Sequence, residues 1–181
     1  MPARTDRLFV ALDLPAAARA ALAGFRERAD PQVWRPVPDE ALHITLVFLG
    51  HRQPGVSERV GKVVGAAAGP AADLALGSAL LLPPRRPRVL CAEVHDRSGA
   101  LAALQARLVE GLAAAGLHEP ERRAYRPHAT VARLRAGERA PRDQVEGPEP
   151  VAFDGEAVTL YRSLLSRAGA SYEPLLRVAV G

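Results

Sequence analysis

Apolar positions along this chain switch between two periods, and each switch marks an element. Leu8 to Leu12 is a continuous β-prone run, and Asp13-Leu14-Pro15 after it reads as a helix entry, with proline in the first turn where its missing N–H is harmless. Ala18, Leu22 and Phe25 recur at helical spacing and predict a helix from Pro15 to Ala29, stopped by Asp30-Pro31. A proline-containing loop holding Trp34 leads into a strand over Leu42 to Leu49, closed by Gly50. Ser57 is placed to cap a second helix, with Val60, Val63, Val64 and Ala67 as its buried stripe and Gly69-Pro70 as its stop. Strands over Leu74 to Leu82 and Arg88 to Val94 flank a rigid basic turn, Pro83-Pro84-Arg85-Arg86-Pro87. Ser98 caps a third helix whose face is Leu101, Leu104, Leu108 and Leu112, up to Gly116. A strand from Ala129 to Leu134 follows Tyr125-Arg126-Pro127-His128, and Arg135 to Pro150 reads as an exposed loop or crossover with no chemistry of its own. Two strands close the chain, Phe153 to Ser163 and Tyr172 to Val180, around a turn at Ala168-Gly169.

One arrangement occurs twice: an apolar strand, an Ala/Leu-rich helix, a loop with an aromatic residue and a proline, then a strand opening with His-x-Thr. The copies span Leu8 to Thr45 and Val89 to Thr130, nearly half a chain apart. Alternation along a strand puts His43 and Thr45 on one face, with Ile44, Leu46 and Phe48 on the other. It likewise pairs His128 with Thr130 against Ala129 and Val131. Strict parity makes Phe48 a core residue and turns Arg133 away from Thr130. A pseudo-twofold relation between the copies would aim both polar pairs into one cleft.

Such a cleft suits in-line displacement at phosphorus, which needs a base on the attacking side and an acid on the leaving side. Imidazole, with an ordinary pKa of about 6.5, serves as either. Threonine hydroxyls donate to the non-bridging oxygens where charge develops. Neither motif carries a nearby Cys, Asp or Glu at regular ligand spacing, so no metal is expected. There is no Walker-type loop and no dinucleotide fingerprint, so no cofactor is expected either.

Composition adds little. The net charge of +4 favours an anionic partner such as RNA, although all basic residues but Lys62 are arginine, a bias of the whole chain that dilutes the signal. The single cysteine, Cys91, lies in the apolar stretch PRVLCAEV and reads as a buried structural thiol in a reducing cytoplasm. No apolar run is long enough to span a membrane, and Asp13 interrupts the first one too early for an export signal. A chain of 181 residues with 48% hydrophobic content fits one domain, residues 1–181, built from two intertwined lobes.

The ordered set RLFVALDLP, LHITLVFLG, PRVLCAEV, YRPHATVARL and LYRSLLSRAGASYEPL resembles the two-histidine (2H) phosphoesterase superfamily, in particular its RNA 2′,3′-cyclic phosphodiesterase branch, the LigT-type or 2′-5′ RNA ligase family. The resemblance runs nearly end to end. It implies a bilobal α+β fold, with an antiparallel sheet and flanking helices in each lobe and a groove between them. It also implies metal-independent hydrolysis of a cyclic phosphate to a 2′-phosphomonoester, on an RNA terminus or a nucleotide; the chain itself is expected to be a monomer. By position His43 is the proton donor and His128 the acceptor. Thr45 and Thr130 match the motif threonines that hold the phosphate, and Arg126 and Arg133 match basic positions around the second motif. Tyr125 is the better candidate for stacking a base, while Trp34 either lines the groove or caps the core. Two other readings use the same groove: 2′-5′ ligation or 2′-5′ cleavage, and binding of RNA ends without turnover.

Overall fold

A computed structural model describes residues 5–141, 145–166 and 169–180. In chain order it contains β1 (Asp6–Asp13), α1 (Ala16–Glu27), β2 (Trp34–Pro36), a 3₁₀ turn (Asp39–Ala41), β3 (His43–Arg52), α2 (Val56–Ala67), β4 (Leu74–Leu82), β5 (Val89–Asp96), α3 (Ala100–Ala114), β6 (His128–Leu134), β7 (Ala152–Phe153), β8 (Ala157–Ser166) and β9 (Gly169–Ala179). The fold is α+β, and every strand pairing is antiparallel. The strands order as β7-β4-β5-β6-β3-β1-β8-β9, with β2 attached to β6.

The two expected halves therefore form one curled sheet. β3 and β6 join them at a single residue pair, Ile44 opposite Ala129, both fully buried. Beyond that pair β3 departs, and β2 takes over the same edge of β6, with Trp34 opposite Leu134 and Arg35 opposite Arg133. Trp34, expected in a loop, is thus a strand residue, and at 2% exposure it caps the core and not the groove. Each repeat is a strand pair joined through a helix: β1 to β3, which sets Asp13 opposite His43, and β5 to β6, which sets Glu93 opposite His128.

The helices bury the faces their spacing predicts: Ala18, Leu22 and Phe25; Val60, Val64 and Ala67; Leu101, Leu104, Leu108 and Leu112. They cross between the halves, since α1 lies against β6 and β7, α2 against β8 and β9, and α3 against both β3 and β5. Two caps differ from expectation. Helix α2 begins one residue before Ser57, at Val56, because Gly55 with φ of 87° makes the turn. Ser98 does accept from the Ala100 N–H, but Asp96 shares the capping by accepting from Ala102.

The strand expected over Phe153 to Ser163 is two strands. β7 pairs with β4 and β8 with β1, so the chain changes halves at Asp154–Glu156, where Gly155 passes so close to Leu12 that a side chain would collide. Among the described residues the segment between β6 and β7 has no regular element, but it is not simply exposed. Pro148 is buried, Val145 packs on the core, and the Gly147 carbonyl accepts from Arg28 at 2.6 Å. Ala168, in the last expected turn, lies outside the described residues.

Leu104 is fully buried on the helix that contacts both halves. Leu104→Ala lowers unfolding free energy by about 2–5 kcal/mol, measured by urea denaturation; a loss well under 1 kcal/mol would contradict this packing.

Candidate active site

Both motif histidines are tethered by the same local bond. His43 Nδ1 lies 2.8 Å from the Ala41 carbonyl and His128 Nδ1 lies 2.8 Å from the Arg126 carbonyl, two residues back in each case. A carbonyl only accepts, so each Nδ1 carries the proton and each Nε2 is left for other partners. His43 Nε2 meets the Thr45 hydroxyl at 3.1 Å, and in the neutral ring that hydroxyl donates to it.

The two rings differ in their surroundings. Phe9 at 5.0 Å, Tyr172 edge-on at 5.4 Å and Tyr161 at 6.3 Å enclose His43. Burial pushes its pKa down to about 4. The Ala41 carbonyl and Asp13 oppose that shift, while Arg133 and His128 add to it. Asp13 is itself fixed by three donors, Thr159 Oγ1 and Tyr161 Oη at 2.8 Å and Arg177 Nε at 3.0 Å.

The parity argument holds for His43, Thr45, His128 and Thr130 and fails three residues after each threonine. In β3 an irregularity between the Val10–Val47 and Ala11–Thr45 pairs adds a residue, so Leu46 and Val47 are both buried and Phe48 emerges 46% exposed on the histidine face. In β6 the corresponding irregularity lies between Leu90 and Cys91. There Val131 and Ala132 are both buried, and Arg133 turns into the cleft beside His43. Phe48 is therefore not a core residue, and Arg133 does not point away. The two bulges are counterparts.

His43, Thr45, Phe48 and Arg133 line a cleft of about 340 Å³, together with Arg7, Phe9, Arg35, Ser163, Ala170 and Tyr172. His128 lines a larger, more apolar cleft of about 780 Å³ with Thr45, Phe48, Tyr125 and Arg126. Thr45 and Phe48 belong to both, so the histidines open onto adjoining spaces that meet at those two side chains. A third cleft, at Trp34, Arg26 and Asp39, lies apart from both motifs.

The remaining expected residues are more constrained than their sequence positions imply. Tyr125 donates its hydroxyl to the Thr45 carbonyl at 3.1 Å, which ties the loop before His128 to the strand of His43. Burial raises its pKa. Arg126 pairs with Glu93 at 3.2 Å on the rim of the larger cleft. Thr130 Oγ1 lies 3.4 Å from the sulfur of Cys91, a fully buried thiol that burial pushes up to about 11, well away from nucleophilic use. Sequence reasoning missed Arg7, Phe9, Arg35, Ser163 and Tyr172, which reach the cleft from strands whose pairing no local motif reveals. Among the described residues no group of three or more His, Cys, Asp or Glu side chains is arranged to hold a metal, and no helix is long and apolar enough to cross a membrane.

A sequence profile of the 2′-5′ RNA ligase superfamily matches residues 14–167. The chain is 30% identical over 179 residues to the RNA 2′,3′-cyclic phosphodiesterase of Escherichia coli K12, covering 97% of each. It is 27% identical over 150 residues to the protein of that name from Aeropyrum pernix, covering 80% of this chain and 85% of the other. The crystal structure of E. coli LigT complexed with 3′-AMP superposes with a TM-score of 0.82 at 28% identity, over 98% of this chain and 99% of that one.

The lowered value at His43 has a stability consequence. In the unfolded chain the ring takes its proton near the ordinary 6.5, whereas the folded ring resists to about 4, so the folded state loses stability as pH falls through that window. The unfolding free energy of the wild type relative to His43→Asn should drop by up to about 3 kcal/mol between pH 7 and 4, measured by urea titration at each pH. A constant gap would contradict the half-buried, neutral ring.

Proposed function

The chain belongs to the 2′-5′ RNA ligase superfamily, and on that premise we propose that it hydrolyses 2′,3′-cyclic phosphate ends of RNA or nucleotides to the 2′-phosphomonoester, without a metal ion, through His43 and His128. The observation that carries this reading is the matched pair of tethered imidazoles, each with its Nδ1 held by a backbone carbonyl two residues upstream, opening onto adjoining clefts that meet at Thr45. The names of the curated relatives and the 3′-AMP in the LigT crystal support the substrate class.

In this mechanism the phosphate spans the meeting point at Thr45. His128 Nε2 takes a proton from water as its oxygen attacks phosphorus. His43 gives a proton to the departing 3′ oxygen as the P–O3′ bond breaks, which leaves the phosphate on the 2′ oxygen. A ring held near 4 is neutral in the empty cleft, so His43 acts as an acid only once the negative phosphate is enclosed beside it and favours the charged form. Protonation also breaks the donation from Thr45 to Nε2: the Thr45 hydroxyl hydrogen is released toward a non-bridging oxygen, and Nε2–H is left for the departing 3′ oxygen. Thr130 and Arg133 add donors from β6, and Arg126 holds the RNA side of the rim. Tyr125 keeps Thr45 in place through its backbone and offers part of its ring to the larger cleft. The whole chain, 1–181, works as one monomeric unit of two intertwined lobes, in a reducing cytoplasm suited to the lone buried thiol.

With a nucleoside 2′,3′-cyclic phosphate in EDTA, the wild type turns over and releases the 2′-monoester, while His43→Ala and His128→Ala each lose about 10²–10⁴-fold in kcat. Wild-type rates in either variant, or binding without turnover, would reject the acid–base pair. The division of roles has a separate test. A cyclic substrate whose 3′ bridging atom is sulfur leaves as a thiolate that needs no proton, so it restores His43→Ala and not His128→Ala. The opposite pattern would reverse the assignment.

A further inference from the structure

The cleft at His43 continues past the residues that the reaction uses. In the β1–β8 and β8–β9 registers Arg7, Ser163 and Tyr172 stand directly opposite one another, so they form a row across three adjacent strands. All three line the cleft. Phe9, whose ring touches His43, is two residues along β1 from Arg7, which puts the row about 7 Å beyond the Phe9 position.

Two features of this row are left without a polar partner among the described residues. Ser163 is 92% buried (8% exposed) and lines the cleft, yet its hydroxyl oxygen is sealed from solvent with no hydrogen-bond partner among the described residues, a costly state that rotation about χ1 toward the cleft relieves. Arg7 lies over the Phe48 ring at 5.0 Å, and among the described residues no carboxylate lies within 4 Å of its guanidinium. Arg35 and Arg133, directly opposite each other on β2 and β6, bring two more positive charges to the same cleft, a pairing that disfavours itself without an anion. Among the described residues no acidic side chain lines this space. A cyclic phosphate carries one negative charge, which the catalytic end already meets with Thr45 and Arg133.

We infer that the Arg7–Ser163–Tyr172 row is a second phosphate subsite, taking the phosphate on the 5′ side of the terminal nucleotide while the cyclic phosphate reacts between the histidines. The inference rests on the cyclic-phosphodiesterase reading of the cleft. Arg7 supplies a charged fork, Ser163 an unpartnered hydroxyl that a rotamer change brings to the cleft, and Tyr172 a phenol whose ring also packs edge-on against His43. The preferred substrate is then a phosphorylated end and not a bare nucleoside cyclic phosphate.

The test compares three substrates: a nucleoside 2′,3′-cyclic phosphate, the same compound with a 5′-phosphate, and a dinucleotide ending in the cyclic phosphate. Wild-type kcat/KM should rise about 10- to 100-fold from the first to the phosphorylated forms, mostly through KM, as expected for charge-assisted hydrogen bonds. Arg7→Gln and Ser163→Ala should each remove most of that gain and leave turnover of the bare nucleoside cyclic phosphate unchanged. A gain on both phosphorylated substrates assigns the subsite to the RNA backbone; a gain on the 5′-phosphate alone assigns it to a terminal monoester. Equal wild-type kcat/KM on all three would overturn the subsite and leave the hydrolase reading intact. Variants that slow all three alike would also overturn it, and failure to turn over any of them would reject the underlying reading.

Discussion

At Ile44 and Ala129 two strands touch and then part. Because only that pair is shared, β3 and β6 diverge, and the polar faces that begin on either side of it, His43-x-Thr45 and His128-x-Thr130, open into a wedge and not onto a flat sheet. Everything chemical in the molecule depends on that narrow contact. Two fully buried, uncharged side chains make it, and the smaller, Ala129, lets the strands approach closely enough to pair before β2 fills the vacated edge.

The same geometry explains why two identical motifs do not behave identically. Both rings are held by a carbonyl two residues upstream, but the His43 half brings Phe9, Tyr161 and Tyr172 around its imidazole while His128 sits by the wider cleft. Aromatic enclosure removes water from one ring, and the resulting preference for the neutral form makes that ring responsive to an arriving anion. Asymmetry between the two rings thus arises from packing, on a nearly symmetric backbone.

Much of this was legible in the residues alone. Helix faces, the first strand and the shared face of each histidine and threonine follow from periods of 3.6 and 2, because those contacts are local. Phe48 and Arg133 were misread because parity assumes an unbroken ladder, and a β-bulge adds one residue that local alternation does not register. The doublets Leu46-Val47 and Val131-Ala132 were the available sign, since two successive apolar residues in a half-polar strand both need burial. The Arg7–Ser163–Tyr172 row had no such sign. It exists only once β1, β8 and β9 are in register, and register between strands over 150 residues apart is a property of the whole sheet.

The exchange of elements between the halves has its own consequence. β2 belongs by sequence to the first repeat and by hydrogen bonding to the second, α1 leans across in the same direction, and the chain returns through Gly155 to complete the first half with β8 and β9. Neither repeat can be excised as a smaller protein, for each fragment would carry away its neighbour's edge strand and expose unpaired backbone. Internal likeness, in this topology, does not mean that the parts are separable.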